Sequence, residues 1–227
     1  MDSFADLRVA SQQRKIMVET QIVARGVRDA RVIEAFLAVP RHLFVPTRDR
    51  YRAYQDSALP IGYGQTISQP YIVALMLEIA GLRGVENVLE IGTGSGYTAA
   101  LLSSLTRSVT SIERIDPLAR RARGLCGDLG VRNVSFFSGD GSSGKPDAAP
   151  FDAIIVWAAA IETPPQLFEQ LADNGVLLGP EGERTTAQPT DRRSYQMLVQ
   201  YRKRGRAIVR TEICAVSFVP LVTGPPN

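Results

Sequence analysis

The sequence predicts an α/β fold in which a doubly wound, seven-stranded sheet carries helices on both faces. Three observations support this. Short β-rich runs alternate with helical runs between residues 71 and 180, and a glycine-rich turn joins the run at Asn87–Ile91 to the next helix. The last two β-rich runs have no helix between them. Parallel strands need crossover helices whereas antiparallel strands do not, so we expect an antiparallel pair to complete the sheet.

Composition favours a single globular domain over residues 1–227. The chain has 227 residues, of which 44% are hydrophobic and 22% are charged, as is typical of globular proteins. Its two cysteines, Cys126 and Cys214, have no metal-ligand or disulfide spacing, so we expect no metal and two buried thiols. The longest apolar run, residues 153–161, is too short to cross a bilayer. We therefore expect a cytoplasmic monomer without membrane contact.

Charge alone does not indicate a nucleic-acid partner. The formal net charge is +3, and part of the basic excess lies at residues 202–206. Because Gly205 separates two alternating strand-like runs, these charges are expected to decorate an exposed hairpin turn rather than a phosphate-binding surface. We expect no nucleic-acid partner.

The first 70 residues are predicted to form a helical extension, residues 1–58, followed by an active-site loop, residues 59–70. A helix is expected over residues 4–25, where Gly26 ends it, and Asp29 is expected to cap a second helix that runs to Val39. The stretch 59–70 is dense in Gly, Pro and small polar residues. Loops of this length inside compact domains are usually functional.

Residues 71–180 are predicted to form a cofactor-binding core, and residues 181–227 the antiparallel strands. Periodicity places strands at 87–91, 108–112, 134–137, 151–156 and 175–178, and helices at 71–80, 97–105, 117–129 and 164–171. The final strands are expected at 195–201 and 207–218. Residues 181–193 are polar and irregular, which predicts a surface loop.

The glycine-rich turn distinguishes between two cofactor classes. A dinucleotide fingerprint has glycines at its first, third and sixth positions, but here they stand at Gly92, Gly94 and Gly96, and Tyr97 fills the sixth position. Glu90, just upstream, would repel a pyrophosphate and suits a cationic ligand. S-adenosylmethionine carries an ammonium and a sulfonium and no phosphate, so this cofactor is predicted.

Two further acids follow the next two strands. Glu113 lies 21 residues after Gly92, where an acid can accept hydrogen bonds from ribose hydroxyls. Asp140 follows the third strand and could accept from the adenine amino group. Since the carboxyl ends of parallel strands share one edge of the sheet, Glu90, Glu113 and Asp140 are predicted to lie along a single binding edge.

Two motifs resemble those of a known family. Residues 90–97, Glu-Ile-Gly-Thr-Gly-Ser-Gly-Tyr, resemble the first motif of class I methyltransferases, which have a Rossmann-like sheet. Residues 64–70, Gly-Gln-Thr-Ile-Ser-Gln-Pro, resemble the signature loop of protein-L-isoaspartate O-methyltransferases. Residues 38–41, 44–45, 139–141, 150–156 and 218–222 are also similar to segments of this family.

The resemblance implies a seven-stranded sheet in the order 3-2-1-4-5-7-6, in which the last strand is antiparallel and inserted beside the fifth. It also implies methylation of the free α-carboxylate of isoaspartyl residues in damaged proteins or peptides, after which the ester closes to a succinimide. It places Ser68 at the active site and the acceptor against Gln65, Thr66, Ile67 and Ser68. The implied cofactor contacts are Ile67, Glu90, Gly92, Thr93, Gly94, Ser95, Gly96, Glu113, Arg114, Asp140 and Gly141.

The reaction needs no general base, because a carboxylate is already ionised at neutral pH. His42, the one histidine, is accordingly expected to be structural. What the enzyme must supply is alignment and exclusion of water. Since no base partner for Ser68 is evident, its hydroxyl is predicted to orient the acceptor carboxylate rather than to act as a nucleophile.

Alternative functions remain open at the level of sequence. Trp157 stands where the family usually has a small threonine, and Ser142 and Ser143 replace a common tryptophan. These departures leave room for an enzyme dedicated to an aspartate in one particular peptide. A nucleic-acid methyltransferase is disfavoured because residues 157–160 read Trp-Ala-Ala-Ala instead of Asp- or Asn-Pro-Pro-aromatic. An NAD-dependent oxidoreductase lacks its sixth-position glycine, and a non-catalytic binding module would not need three aligned acids.

Overall fold

The computed structural model describes residues 4–183 and 196–224, with side chains described from residue 8 onward. Its helices are α1 (Phe4–Met17), α2 (Ala30–Ala38), α3 (Pro70–Ala80), α4 (Tyr97–Leu105), α5 (Asp116–Asp128) and α6 (Pro165–Glu169). Its strands are β1 (Leu59–Gly62), β2 (Gln65–Ile67), β3 (Asn87–Ile91), β4 (Ser108–Glu113), β5 (Val134–Ser138), β6 (Phe151–Val156), β7 (Leu171–Glu181), β8 (Gln196–Arg204) and β9 (Ala207–Val216).

Seven strands form the central sheet in the order β5-β4-β3-β6-β7-β8-β9. The first five of these run parallel, with β3 between β4 and β6, and helices connect them. The chain leaves β3 for β4 on one side and later returns to β6 on the other. The predicted α/β fold, with its doubly wound sheet, is confirmed, and the ligand-binding edge lies where the strand order reverses.

The predicted position of the last strand is wrong. It was expected between the fifth and sixth strands of the sheet, but β8 pairs with β7, and β9 pairs only with β8 at the sheet edge. Burial explains this order: Leu198 and Val199 of β8 are fully buried, whereas Arg210 and Glu212 make β9 a charged strand. Charged side chains suit an edge position because they oppose pairing with another chain.

The central strand β3 is buried on both faces. Val88 packs in a large core beneath α3, α4 and the N-terminal helices, while Leu89 and Ile91 pack in a smaller core that includes residues near α6. Strand residues alternate between faces, so one apolar run serves both layers. Glu90, in the middle of this run, is therefore carried into the interior.

The N-terminal helices join the larger core, as the sequence predicted. The Asp29 side chain accepts a hydrogen bond from Arg31 N and caps α2, and Glu78 of α3 accepts from the backbone of Arg28 and Asp29. The predicted helix over residues 4–25 is not uniformly α-helical. It continues after α1 as a π-helical turn, Val18–Ile22, and a 3-10 turn, Val23–Arg25.

The stretch predicted as a loop, residues 59–70, contains a small hairpin. Strand β1 pairs antiparallel with β2, and Leu59, Ile61 and Ile67 are buried. The alternation of Leu59 and Ile61 with Pro60 and Gly62 was the available signal for β1. Pro60 is tolerated because this two-stranded sheet leaves edge positions that need no donor.

Several other boundaries differ from prediction, most of all those of α6 and β7. Helix α6 ends at Glu169, and β7 begins at Leu171 instead of residue 175, so the strand is much longer than expected. Of the predicted surface loop 181–193, Glu181 belongs to β7, and residues 184–193 lie outside the described part of the chain.

Cys126 is buried as predicted, whereas Cys214 is half-buried. No described helix has the length and apolar character needed to cross a membrane.

The C-terminal segment, residues 217–224, crosses the carboxyl edge of the sheet. Gln196 holds its start: its side chain accepts from Phe218 N at 2.5 Å and donates to Phe218 O at 3.2 Å. Further along, Ala159 donates to Val219 O and accepts from Leu221 N, at 2.8 and 2.7 Å. One buried amide thus fixes where the segment leaves β9.

We predict that Gln196→Leu destabilises the protein by about 3 kcal/mol, because it leaves the buried N–H and C=O of Phe218 without partners. Urea unfolding measures the change. The matched control is Gln200→Leu, which removes a single, half-buried hydrogen bond to Ile79 O and should cost about 1 kcal/mol or less. Equal losses in the two variants would contradict the role given to Gln196.

Candidate active site

The glycine-rich turn joins β3 to α4 at the carboxyl edge of the sheet. Gly92 has φ +91°, and a Cβ there would lie 3.5 Å from the Cβ of Trp157. Gly96 has φ +87°, and a Cβ there would come within 2.9 Å of Ala122 Cβ in α5. Both positions require glycine, the first to form the turn and the second to let α4 and α5 approach.

Two adjoining cavities lie above this turn. The narrower, of about 60 Å³, is lined by the turn itself, by Glu113 and by the residues of β2. The wider, of about 380 Å³, is an open cleft between the end of β9, the start of α3 and the loop after β2. We call them the donor pocket and the acceptor cleft, after the roles that we propose for them below. They share four lining residues: Thr66, Ser68, Trp157 and Val219.

Glu113 lies in the donor pocket as predicted. Its carboxylate accepts hydrogen bonds from Gly94 N at 2.8 Å and Ile115 N at 2.9 Å, one on each oxygen. Each oxygen therefore keeps a lone pair for a further donor. Burial raises the pKa of this carboxyl, although the backbone hydrogen bonds oppose that effect.

Glu90 does not line either cavity, contrary to the expectation of a direct ligand contact. Its side chain is 0% exposed and accepts hydrogen bonds from Thr98 Oγ1 at 2.5 Å, Ser111 Oγ at 2.6 Å and Trp157 Nε1 at 3.1 Å. The acid is thus a buried support that ties α4, β4 and the residue after β6 to β3. Burial raises its pKa to about 7 against the effect of these three hydrogen bonds.

Trp157 forms the wall between the two cavities. Its backbone N–H donates to Ile91 O, and its indole N–H donates to Glu90, so both the main chain and the ring are fixed. The side chain is buried yet lines the donor pocket and the acceptor cleft alike. Trp157, which departs from the family pattern, is thus part of the wall of both cavities.

Asp140 and Arg114 contact the C-terminal segment, and neither lines the donor pocket. Asp140 accepts from Ser142 N at 2.8 Å and from Gly224 N at 2.6 Å, while Arg114 donates to Gly224 O at 2.7 Å. Although burial raises the pKa of Asp140, these hydrogen bonds give it a net decrease. Gly141 is packed against Ile91, where a Cβ would fall 2.4 Å from the Ile91 side chain.

The structure therefore brings together part of the predicted cofactor set. Ile67, Gly92, Thr93, Gly94, Ser95 and Glu113 line the donor pocket, whereas Glu90, Gly96, Arg114, Asp140 and Gly141 do not. All four predicted acceptor residues line the donor pocket, and Thr66 and Ser68 also line the acceptor cleft. Thr66 and Ser68 therefore lie where the two cavities adjoin.

No described residue that lines either cavity is a histidine. His42 lies in a different cavity, near the N-terminal helices, and its Nδ1 is 2.7 Å from the hydroxyl of Tyr54. Its structural role is thus supported by its contacts. The described residues that line the acceptor cleft also include no charged side chain.

Three features of the site were not predicted from sequence. Tyr97 lines the donor pocket, Val219 lines both cavities, and buried Arg41 donates to the carbonyl of Ser68 at 2.8 Å. Arg41 and Tyr97 lie within segments whose family resemblance was noted, but resemblance gave them no role. An arginine inside an apolar run such as residues 36–45 was the only local signal for Arg41.

The comparisons agree with this geometry. The sequence matches the family of protein-L-isoaspartate(D-aspartate) O-methyltransferases over residues 12–225. The protein-L-isoaspartate O-methyltransferase of Synechococcus sp. (strain JA-2-3B'a(2-13)) is 50% identical over 93% of this chain and 86% of its own length. A solved protein-L-isoaspartate O-methyltransferase superposes with TM-score 0.80 and 29% identity, covering 94% of this chain and 67% of that one. A Plasmodium falciparum protein assigned to the same methyltransferase type, in complex with S-adenosyl-L-homocysteine, gives TM-score 0.76 and 25% identity, covering 92% and 98%.

We predict that Glu90→Gln makes the protein less sensitive to pH. The ordinary pKa of the carboxyl is 4.5 and its folded value is about 7, so the folded protein binds this proton more tightly than the unfolded chain. The stabilising contribution is complete below pH 4.5 and is lost as the pH rises through 7. The variant should therefore gain about 3 kcal/mol relative to wild type between pH 4.5 and pH 8.

Urea unfolding of both proteins across this range measures the difference. Glu34→Gln, which changes an exposed acid of α2, serves as the control and should run parallel to wild type. If Glu90→Gln also runs parallel to wild type, the acid titrates in the same way folded and unfolded, and the prediction fails.

Proposed function

This chain belongs to the protein-L-isoaspartate O-methyltransferase family, and we propose that its two adjoining cavities hold the methyl donor and the acceptor of that family's reaction. The enzyme is an S-adenosylmethionine-dependent carboxyl O-methyltransferase that acts on L-isoaspartyl residues of proteins. The observation that carries the proposal is that Thr66, Ser68, Trp157 and Val219 line both cavities. A methyl group can pass between two bound molecules only where their sites touch.

The donor pocket has the features that S-adenosylmethionine requires. An open glycine backbone lets a ligand approach closely, Glu113 offers carboxylate oxygens, and the described lining has no basic side chain that would indicate a phosphate. S-adenosylmethionine supplies an electrophilic methyl group on a sulfonium. We propose that Ile67 and residues 92–95 hold its amino-acid and sulfonium parts and that Glu113 accepts from the ribose.

The remaining cofactor residues are proposed to act less directly. Glu90 fixes the turn from below through its hydrogen bonds. Gly96 fixes it by allowing a close approach to α5. Arg114, Asp140 and Gly141 are proposed to form the adenosine end of the site, where the C-terminal segment closes against them. The buried Glu90 contributes negative potential near the pocket whenever it is ionised.

On the acceptor side, we propose that Ser68 orients the carboxylate while Gln65, Thr66 and Ile67 shape its surroundings. The attacking oxygen, the methyl carbon and the sulfur must lie in line, and opposite charges disappear as the methyl moves. Exclusion of water favours such a reaction because water stabilises the separated charges more than the neutral product. The cleft walls, which include Ile72, Trp157 and Phe218, supply apolar surface for this purpose.

We further propose that residues 1–227 act as one domain, in the cytoplasm, as a monomer without a nucleic-acid partner. The basic residues 202–206 support the absence of a nucleic-acid partner, because they surround the two-residue turn between Arg204 and Ala207 and lie outside the residues that line the two cavities.

The range of acceptors that the enzyme methylates is a separate question. Trp157, which departs from the family pattern, lines both cavities and favours, as a second candidate, an enzyme dedicated to an aspartate of one peptide.

Transfer of a labelled methyl group to an isoaspartyl peptide and to its normal aspartyl twin tests the function. We expect a base-labile methyl ester on the isoaspartyl peptide and at least tenfold less label on the twin, because only the first has a free α-carboxylate beside its extended main chain. Preferential labelling of the aspartyl twin would support the dedicated enzyme instead. Label on neither peptide would contradict the proposed acceptor class.

We predict that Ser68→Ala lowers kcat by about 10- to 100-fold, since one hydrogen bond that aligns the acceptor is lost. Binding of S-adenosyl-L-homocysteine, measured by calorimetry, should remain within about twofold because the glycine turn and Glu113 are unchanged. Ser135→Ala, on the exposed face of β5, is the matched control. An unchanged kcat in Ser68→Ala would remove Ser68 from the reaction.

A further inference from the structure

Arg41 is a fully buried arginine at the base of the acceptor site. It lies in the 3-10 turn Arg41–Phe44 and is 0% exposed. Its Nε donates to Ala53 O at 2.9 Å and its Nη2 donates to Ser68 O at 2.8 Å. One planar guanidinium thus bridges the N-terminal extension and the loop that carries Ser68.

The charge of Arg41 has no paired acid among the described residues. Its Nη1 is buried without a hydrogen-bond partner, as is the hydroxyl of Tyr97, whose ring centroid lies 5.0 Å from the guanidinium carbon. Burial lowers the pKa of Arg41 to about 10, against smaller opposing effects of Tyr97, Tyr54 and Asp56, so the guanidinium stays charged at neutral pH. The carboxylate of Asp56, the one acid among these neighbours, pairs with Arg25 at 2.8 Å.

A buried charge without a counter-ion is costly and is rarely kept by a fold for stability alone. An apolar side chain of similar length could fill the same space at no cost in desolvation. The cation donates to the main-chain carbonyl of Ser68, a residue that lines the acceptor cleft. Since the described cleft lining carries no charge of its own, Arg41 is a source of positive potential for an anion beside Ser68.

We propose that Arg41 is a positioning residue for the acceptor: it holds the Ser68 peptide group in place and makes the cleft favourable for a carboxylate. The hydrogen bond fixes the loop, and the unpaired charge favours an anionic acceptor over a neutral one. Arginine suits this task better than lysine because its fork can bind two carbonyls at once. The inference rests on the proposed role of the cavities. It identifies Arg41 as a residue that makes the acceptor cleft bind an anionic acceptor in preference to a neutral one.

The test compares two peptides of nearly the same shape: an isoaspartyl peptide and its uncharged twin, which has an α-carboxamide in place of the α-carboxylate. Binding of each is measured on enzyme loaded with S-adenosyl-L-homocysteine. We expect wild type to prefer the carboxylate by about tenfold. Arg41→Met should abolish this preference, whereas Arg41→Lys, which keeps the charge, should retain most of it.

A purely structural role would give a different result. Loss of folded protein lowers the binding capacity for both peptides equally and leaves their ratio unchanged. We therefore expect the acceptor KM to rise by about tenfold in Arg41→Met, while the KM for S-adenosylmethionine stays within about twofold. Melting temperature and S-adenosyl-L-homocysteine binding show that each variant is folded. Arg41→Gln replaces Arg41→Met if the latter does not fold.

The matched control is Arg31→Met. Arg31 pairs with Asp29 at 3.1 Å, and its side chain is 43% exposed. Its replacement should leave the peptide preference unchanged. A carboxylate preference in Arg41→Met equal to that of wild type overturns the proposal. If wild type itself shows no preference and transfers no methyl group, the proposed function fails instead, so the two failures are distinguishable.

Discussion

The site depends on one buried acid. Glu90 stands in the central strand of the sheet, and its carboxylate receives hydrogen bonds from α4, from β4 and from the residue after β6. Ser111, one of these donors, is 2.5 Å from Thr93 Oγ1 in the glycine turn. Because the acid cannot reach water, its donors must remain in place for it to be stable. The turn, the first helix after it and the wall between the cavities are consequently fixed relative to one another.

Charge is arranged differently on the two sides of that wall. Acids lie on the donor side, where Glu113 faces the pocket and Glu90 lies beneath it, and a buried cation, Arg41, lies on the acceptor side. A sulfonium and a carboxylate would each meet potential of the opposite sign. The residues at the contact itself, Thr66, Ser68, Trp157 and Val219, are uncharged. In the reaction that we propose, such an arrangement would attract both reactants without placing a fixed charge where their own charges disappear.

Local features were predictable from the sequence and distant contacts were not. The strand, turn and helix around residues 87–105 follow from apolar runs and glycine spacing, which act within a few residues. Glu90 was correctly placed on its strand, but one of the hydrogen bonds that its buried carboxylate accepts comes from Trp157, 67 residues away. Arg41 meets Ser68 across 27 residues, and Asp140 meets Gly224 across 84. Nothing in a local pattern specifies such partners, because they form only when separate elements pack together.

The order of the last two strands matters for the same site. In the predicted order the final strand would run antiparallel to the sheet and would end at its amino edge, far from the glycine turn. In the structure β8 is the antiparallel strand, so β9 runs with β7 and ends at the carboxyl edge. Only from that end can residues 217–224 cross above β6 and reach Arg114 and Asp140. The strand order thus supplies the acceptor cleft with one wall, residues 216–219, and brings Gly224 against Arg114 and Asp140.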